Sequence, residues 1–403
     1  MTPVQSTPQP QPTRGDRKRD RTWRFWPLLP LYPYGYRQTL CAEVVPNTIW
    51  IFDQLQGIFY VIVPIRMTVV KLATGGLLVY APVAPTGECV AQMRQLEARH
   101  GAVKYIILPT VSGLEHKVYA GPFARQFPTA QVYVAPDQWS FPVNLPLSWL
   151  GLPRGRTQRL PEDGRSLPFY NEFDYALLGP VELGVAPFEE VALLHRASRT
   201  LLVTDTVVSI PTTPPAILNQ DPYPMLFHAR ETGQDRIEDT LDNRVKGWQR
   251  IALYAMYFVP GSIDVPPLQE LLRDAWLGGD RSQQGYFGLY PFRWASDWQQ
   301  SFDALSGHGR LLVAPVLQQL ILNRDPQTVL QWAGTVAQWN FQRIIPCHFD
   351  APVMASPQHF RQAFAFLEAN THNPTALPDK DLYNMQRLDN RLNQLGINRS
   401  PQI

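Results

Sequence analysis

Three short apolar runs in this chain end in ionisable residues, and this pattern limits the fold more than any other feature. The runs and the residues that follow them are 105–108 with Glu115 and His116, 201–203 with Asp205, and 343–345 with His348 and Asp350. Short runs rich in β-branched and apolar residues are typical of buried strands. Strand ends that open into loops commonly hold the functional groups of α/β proteins. The sequence therefore predicts a site where three strand ends meet.

The residue types at these strand ends favour metal chemistry. A single acid–imidazole pair in a loop, such as Glu115-His116, is more often a solvated turn or a structural pair than a site. Three strand ends that together present carboxylates and imidazoles match the ligands that zinc and other divalent transition metals prefer. The pattern as a whole therefore predicts a metal-binding constellation.

Composition excludes several classes of protein. The chain has 403 residues, enough for one large domain or two. Its formal net charge of +2 argues against a dedicated nucleic-acid binder. Three scattered cysteines are too few for a disulfide framework or a cysteine-rich zinc site and suit a reducing compartment. With no apolar run of about 18 residues, we expect a soluble, cytoplasmic protein without a transmembrane segment.

The order of patterns along the chain predicts its organisation. Alternation of strands and helices between 77 and 134 predicts a layered α/β core, here 37–210 with 341–375, interrupted by a proline-rich connector and helical insertion at 211–340. Within the core we expect a short helix over 117–127 and a strand over 200–208. A C-terminal helix and tail occupy 376–403, and 1–36 is a disordered basic and aromatic tail. Its aromatic part, 23–36, lies as a strap over the core, makes a peripheral membrane contact or docks on a partner.

The order of the ionisable residues resembles the metallo-β-lactamase superfamily. Its first motif, T-H-x-H-x-D-H, is similar to 110–116 here, except that Val111 and Gly113 stand in place of two histidines and Glu115 in place of the aspartate. The run ending at Asp205 resembles the strand with the bridging aspartate, and the segment ending at His348 resembles the final motif. The middle histidine of the family has no counterpart.

This resemblance implies a four-layered αββα sandwich with a mostly helical insertion before the last core strand. It also implies that the ligands of one metal of the dinuclear site are lost, while those of the other are kept. The kept set would hold one divalent Zn, Fe or Mn ion, with Glu115, His116, Asp205 and His348 as metal ligands. Glu115, Asp205 and Asp350 are the candidate catalytic residues, and Asp350 would orient a ligand, act as a base or form a salt bridge. The alternative is a degenerate site kept as a hydrogen-bonded cluster.

A more specific resemblance covers nearly half of the chain, over about 49–230. Stretches such as GGLLVYAPVAPT and LPTVSGLEHKVYAGPFARQFP are similar to an uncharacterised cyanobacterial and plastid branch of the superfamily, known as a domain of unknown function. This resemblance implies a fold and a setting but no reaction.

Two functions follow as hypotheses. The first is a mononuclear metal-dependent hydrolase of acyl or ester substrates. The second is a non-catalytic scaffold or assembly protein, because tryptophan is enriched at interfaces. The resemblance alone implies that such a protein would be peripheral to photosynthetic membranes. Its partner, like the substrate, is an unknown small molecule or protein. Core packing is the alternative role for the insertion tryptophans, which are Trp248, Trp276, Trp294, Trp298, Trp332 and Trp339.

Overall fold

A computed structural model describes the chain over residues 20–22, 31–33, 36–111, 114–139, 144–184, 186–278, 280–368, 377–396 and 398–399. Most of the predicted N-terminal tail lies outside these residues. The short part of it at Leu31–Tyr32 forms a strand against the core.

The first sheet has eight strands and combines antiparallel and parallel pairs. Its strands are β1 (Leu31–Tyr32), β2 (Leu40–Val45), β3 (Ile49–Ile58), β4 (Val61–Lys71), β5 (Leu77–Tyr80), β6 (Val103–Leu108), β7 (Gln131–Val134) and β8 (Thr157–Arg159). Strands β3 and β4 form a long antiparallel hairpin, whereas β5 to β8 pair in parallel. Strands β5, β6 and β7 are largely buried and mostly apolar, as expected for strands covered on both faces, whereas the edge strand β8 is polar and mostly exposed.

The second sheet has five strands in the order β17–β16–β11–β10–β9. These are β9 (Phe173–Glu182), β10 (Pro187–His195), β11 (Thr200–Leu202), β16 (Arg343–Ile345) and β17 (Val353–Met354). Strands β11 and β16 are parallel, so their carboxyl ends meet at one edge. Four shorter strands form two separate pairs: β12 (Val208–Ser209) with β15 (Leu311–Leu312), and β13 (Ile263–Asp264) with β14 (Arg293–Trp294).

Ten helices are present among the described residues. They are α1 (Gly87–His100), α2 (Leu114–Gln126), α3 (Tyr223–His228), α4 (Leu241–Tyr257), α5 (Leu268–Leu277), α6 (Trp298–Ser306), α7 (Pro315–Leu320), α8 (Pro326–Val336), α9 (Pro357–Gln362) and α10 (Asp379–Gln394). None of them is both long and apolar enough to cross a bilayer.

Three apolar cores separate four layers. The first lies between α1 and α2 and the outer face of the first sheet, the second between the two sheets, and the third between the second sheet and the helices that follow it. The predicted αββα order is therefore confirmed. Helices of the predicted insertion supply much of the fourth layer, and five of its six tryptophans pack into or against the third core. The sixth, Trp276, is 73% exposed.

Two predicted boundaries next to the strand ends are wrong. The helix predicted over 117–127 begins three residues earlier, at Leu114, so Glu115 and His116 lie in its first turn and not in a loop. The strand predicted over 200–208 ends at Leu202, because the backbone of residues 204–206 turns to donate hydrogen bonds to a buried carboxylate. Within the predicted helical insertion, residues 311–312 form a two-residue strand, and the six-residue α7 follows it.

Candidate metal centre

Three of the predicted ligands lie together where the two sheets meet. Glu115, Asp205 and His348 each offer one ligand atom within 4.8 Å of the others. His348 Nε2 lies 3.0 Å from Asp205 Oδ1 and 3.5 Å from Glu115 Oε1. The three residues come from the ends of β6, β11 and β16, so strand ends that are far apart in sequence form one cluster.

Glu115 reaches the cluster because β6 ends at Leu108 and the chain re-enters a helix at Leu114. Pro109 has no N–H to donate, so the sheet ladder cannot continue through it. A carboxylate in the first turn of a helix is favoured by the partial positive charge of the unpaired N–H groups there. The local sequence thus stabilises an anionic side chain at this position.

Asp205 is held by a second carboxylate, that of the fully buried Glu190 on β10. Glu190 accepts hydrogen bonds from the backbone N–H groups of Thr204, Asp205 and Thr206, at 2.8–3.0 Å, and from the Thr206 hydroxyl at 2.7 Å. Burial, reinforced by the nearby charge of Asp205, raises the pKa of Glu190 above its ordinary range. Four donors converging on one carboxylate fix the backbone that carries Asp205.

His348 is fastened to the first sheet. Arg66 on β4 is buried, forms an ion pair with Asp53 at 2.7 Å, and donates to the carbonyl oxygens of Pro346 and Phe349 at 2.8 and 2.9 Å. These carbonyls flank His348 on both sides. Arg66 lies in the first sheet, whereas Pro346 and Phe349 follow β16 of the second sheet. The Arg66 guanidinium therefore links the two sheets next to the cluster.

The hydrogen bonds of His348 define which nitrogen faces the carboxylates. Nδ1 lies 3.0 Å from the carbonyl oxygen of Pro64. A carbonyl only accepts, so Nδ1 carries a proton and donates. Nε2 then directs either a lone pair or a second proton at two carboxylates. A lone pair facing them is unfavourable, so the geometry requires a cation between them, either a proton on Nε2 or a metal ion.

The charges of the cluster agree with this requirement. Burial alone would lower the pKa of His348, but the hydrogen bonds and charges of Asp205 and Glu115 outweigh it and raise this pKa. Burial alone would raise the pKa of Glu115, but its hydrogen bond to His348 and the charge of that imidazole lower it. Without metal, the three residues therefore form a charged hydrogen-bonded cluster.

His116, the fourth predicted ligand, lies beside the cluster but outside the group of three. Its Nδ1 is 3.2 Å from the Pro82 carbonyl, so Nδ1 donates and Nε2 bears the lone pair. That Nε2 is buried and has no hydrogen-bond partner among the described residues. Burial lowers the pKa of His116, which keeps the ring neutral. The rings of His116 and His348 are 6.1 Å apart.

Other candidates occupy different places. Asp350 has no atom in the group of three; its side chain is exposed and its backbone N–H donates to the Ser209 carbonyl oxygen. Cys347 points into the core between the sheets, as expected for a neighbour of His348 in an extended segment. His228 is buried at the end of α3 with Nε2 3.2 Å from the Phe59 carbonyl.

A cavity of about 880 Å³ opens beside the cluster. Glu115 and His348 are among the residues that line it, and most of the remaining lining is apolar. Pockets that bind small molecules typically have volumes of about 300–1,000 Å³ and a mainly apolar lining with a few polar groups. The cluster therefore faces a space large enough for a substrate.

Sequence reasoning missed the two residues that position the cluster, Arg66 and Glu190. Both are ionisable side chains within apolar strand runs, in VIVPIRMTVV and PFEEVALLH. Charged residues are almost never fully buried without partners. A charge inside a predicted buried strand was therefore an available signal for a buried polar network.

Comparison with known proteins gives a family and a fold. The family described as Domain of unknown function (DUF4336) matches residues 46–366, about four fifths of the chain. No curated protein sequence matches significantly.

Solved structures similar to this chain have metallo-β-lactamase folds. The metal-soaked Flv1 flavodiiron core from Synechocystis sp. PCC6803 is 11% identical, with a TM-score of 0.39, over 82% of this chain and 61% of that one. The chain thus spans less than two thirds of that protein. A flavoprotein from Thermotoga maritima is 9% identical, with a TM-score of 0.38, over 82% and 61%. The DIM-1 metallo-β-lactamase is 10% identical, with a TM-score of 0.37, over 82% and 99%. With TM-scores below 0.5, the αββα order rests on the sheets and cores described above.

Proposed function

Because the chain belongs to the DUF4336 family, whose description names no function, we propose a function from its own site: a mononuclear metal-dependent hydrolase of acyl or ester substrates. The observation that carries the proposal is the orientation of His348. Its Nδ1 is committed to the Pro64 carbonyl, and its Nε2 faces the carboxylates of Asp205 and Glu115. An imidazole oriented in this way by its other nitrogen is the usual arrangement of a histidine metal ligand.

The donor set fits one divalent zinc, iron or manganese ion. Two carboxylates and one imidazole are suitable ligands, and three protein ligands leave a coordination position open for water or substrate, as in catalytic zinc sites. His116 offers a fourth ligand nearby, with a buried lone pair on Nε2 that has no partner among the described residues. A single ion held by Glu115, Asp205 and His348 would bind the ligand atoms of these three residues that lie within 4.8 Å of one another.

Different residues of the chain would have different roles at such a site. A metal bound here would lower the pKa of a bound water and polarise a carbonyl group. Glu190 and Arg66 are positioning residues, since they hold the backbone that carries Asp205 and His348. The apolar lining limits water and orients the substrate. Asp350 stays a candidate base by prediction only, as it lies outside the cluster.

The absence of a second ligand set favours acyl over phosphoryl substrates. In two-metal sites a pair of ions clamps both the attacking and the leaving oxygens of a phosphoryl transfer. Residues Val111 and Gly113 stand where the resemblance would place ligands of the second ion. An ester or thioester carbonyl needs only one polarising ion and one nucleophile, so we propose acyl hydrolysis.

The test is hydrolysis of neutral p-nitrophenyl esters by protein purified without an affinity metal. We expect activity that a chelator removes and that zinc, iron or manganese restores. Glu115→Gln, which removes one charged ligand at unchanged shape, should lower kcat/KM by at least about 100-fold. The exposed Glu182→Gln is the matched control and should keep full activity. Activity that survives chelation or Glu115→Gln would contradict the proposal.

The second candidate is a non-catalytic binding protein in which a proton replaces the metal. It is favoured by the raised pKa of His348, which lets an imidazolium bridge Asp205 and Glu115 without any ion. In this case the protein would not hydrolyse esters with any of the three metals. A cytoplasmic or photosynthetic-membrane setting, in cyanobacteria or plastids, is proposed from the sequence resemblance alone.

A further inference from the structure

Most of the side chains that line the cavity beside the cluster are apolar. Its 880 Å³ are enclosed by the β3–β4 hairpin, α2, α4 and the segment around β13. The apolar lining residues are Ile58, Phe59, Val61, Val63, Ile65, Val118, Ala255, Phe258, Val259, Ile263, Val265, Pro291 and Phe292. A space of this size and polarity is suited to a hydrocarbon chain, because burial of each methylene is favourable by about 0.8 kcal/mol.

Few side chains of the lining are polar. The Gln56 amide oxygen accepts hydrogen bonds from the Tyr119 hydroxyl at 2.6 Å and from Arg37 at 2.9 Å, and Tyr254 adds a further hydroxyl to the lining. Glu115 and His348 are the charged residues of the lining. A ligand would therefore place its polar group at Glu115 and His348 and its chain along the walls.

The charge of the cluster selects a neutral polar group. The carboxylates of Glu115 and Asp205 both have an oxygen within 3.5 Å of His348 Nε2. A ligand with its own carboxylate would be repelled by both, whereas an ester carbonyl carries no net charge. The cavity thus discriminates against a free fatty acid and in favour of its ester.

The mouth of the cavity is also apolar and exposed. Ile58 and Phe59 at the β3–β4 turn, Phe258 and Val259 after α4, and Val265 line the cavity and are at least 37% exposed. An apolar rim around an apolar cavity gives a ligand a continuous path without polar contacts. Exposed apolar patches of this kind mark interaction sites.

Helix α5 follows this rim in the sequence and turns apolar residues toward solvent instead of toward the core. It begins three residues after Val265, and its exposed stripe is Leu268, Leu272 and Trp276, four residues apart. The side turned inward carries Asp274, whose carboxylate accepts from Gln234 at 2.8 Å. Helices of soluble proteins normally turn the apolar face inward. Leu268, Leu272 and Trp276 are named the α5 stripe below.

Basic residues accompany the α5 stripe. Arg273 is exposed on the same helix, with its Nε 3.7 Å from the Asp274 carboxylate, and the exposed Arg281 stacks on the Trp276 ring with its guanidinium carbon 4.8 Å from the centroid. Leucine and tryptophan side chains beside arginine are typical of helices that lie in the interface of a bilayer with anionic lipids. This composition favours a lipid surface over a protein partner as the occupant.

We propose that the cavity binds the chain of a neutral long-chain ester, with the carbonyl at Glu115 and His348, and that the α5 stripe rests on the lipid bilayer from which this ester enters. The assignment of the ester as a substrate rests on the proposed hydrolase function. Binding of the chain and docking on the bilayer do not, so both are measured without turnover.

The first experiment measures binding of methyl ketones of increasing chain length, which keep the neutral carbonyl but have no leaving group. The full-length protein is titrated by calorimetry in the presence of a chelator and again with zinc. We expect affinity to rise about fourfold for each added methylene until the cavity is full. Fatty acids of equal length should bind at least about tenfold more weakly in chelator. Affinity that does not depend on chain length would overturn the proposal.

A cavity-filling variant locates the chain. Ala255→Trp, on the α4 wall, should abolish the gain for long ketones and leave the shortest ones unaffected. Leu241→Trp adds the same side chain at an exposed position of the same helix outside the lining and should bind like the wild type. Equal loss in both variants, or in neither, would place the chain elsewhere. If ketones bind as expected but no metal does, the hydrolase proposal fails while the ligand class stands.

The second experiment measures sedimentation with vesicles of phosphatidylcholine, with or without phosphatidylglycerol. We expect binding that is stronger with phosphatidylglycerol and at least about tenfold weaker in Leu272→Glu/Trp276→Glu. Trp149→Glu introduces the same charge at another exposed tryptophan, outside the rim, and should leave binding unchanged. Absence of vesicle binding would overturn the bilayer assignment. A dimer that the α5 double substitution dissociates would instead assign the α5 stripe to a second copy of the chain.

Discussion

The floor and the walls of the cavity are built in opposite ways. The cluster of Glu115, Asp205 and His348 is called the floor here, and two of its residues, Glu115 and His348, line the cavity. The buried side chains of Arg66 and Glu190 hold the backbone of this cluster. The walls are apolar side chains from a hairpin turn and from helices of the insertion, and several of them are half-exposed. The floor depends on charged groups with fixed partners, whereas the walls depend on shape and area.

This difference separates what the fold must preserve from what it can vary. Buried charges are costly unless they are paired and hydrogen-bonded, so any change to Arg66 or Glu190 should be felt throughout the protein. Half-exposed apolar side chains contribute little to stability, so the walls can change with the ligand. We therefore expect large losses of stability from floor substitutions and small ones from wall substitutions.

The largest loss of stability is expected for Arg66→Met. The substitution leaves Asp53 buried without its partner and the carbonyls of Pro346 and Phe349 without donors, so the free energy of unfolding should fall by about 3–5 kcal/mol. Urea denaturation of metal-free protein measures it. The double variant Arg66→Met/Asp53→Leu removes both charges and should lose less than the single variant. A loss below about 1 kcal/mol would show that the floor does not depend on this ion pair.

A somewhat smaller loss is expected for Glu190→Ala. The backbone N–H groups of residues 204–206 lose their common acceptor, and each buried donor left unpaired costs about 1–3 kcal/mol. Since water can enter the vacated space, we expect a total loss of about 2–3 kcal/mol, measured by urea denaturation. Glu182→Ala, an exposed glutamate on the adjacent strand β9, should change stability by less than about 0.5 kcal/mol. Equal effects of the two substitutions would refute the positioning role of Glu190.

The smallest loss is expected from the wall. Phe258 is 45% exposed at the cavity mouth, so Phe258→Ala should lower the free energy of unfolding by less than about 1 kcal/mol. Metal content should stay unchanged, because no floor residue contacts this position through a hydrogen bond or ion pair in the described structure. A loss of unfolding free energy as large as that of Glu190→Ala would contradict the expected difference in stability between floor and wall substitutions.

The cluster of Glu115, Asp205 and His348 could be predicted in part because its ionisable residues follow the ends of strands. Asp205 and His348 each follow a short apolar run, and parallel pairing of β11 with β16 brings these ends together. Sequence patterns cannot determine which nitrogen of His348 faces the carboxylates, because the Pro64 carbonyl that decides it is more than 280 residues away.

Tertiary contacts also explain the wrong boundaries. The run at 200–208 is apolar enough to continue as a strand, yet the Glu190 carboxylate competes for its backbone donors and ends the strand at Leu202. Helix α5 shows the opposite limit. Its apolar residues have helical spacing, which predicts a face turned inward, whereas the stripe is exposed. Periodicity reports that a face is apolar, not what covers it.

We expect that a metal ion, and not a proton alone, lies between the ligand atoms of Glu115, Asp205 and His348. Mass spectrometry of the metal content of full-length protein, purified without an affinity metal and reconstituted with zinc, iron or manganese, tests it most directly. We predict about one equivalent in the wild type and in Asp350→Asn, and almost none in His348→Asn or Asp205→Asn. No bound metal in the wild type after reconstitution, or one equivalent that persists in His348→Asn, would contradict the account.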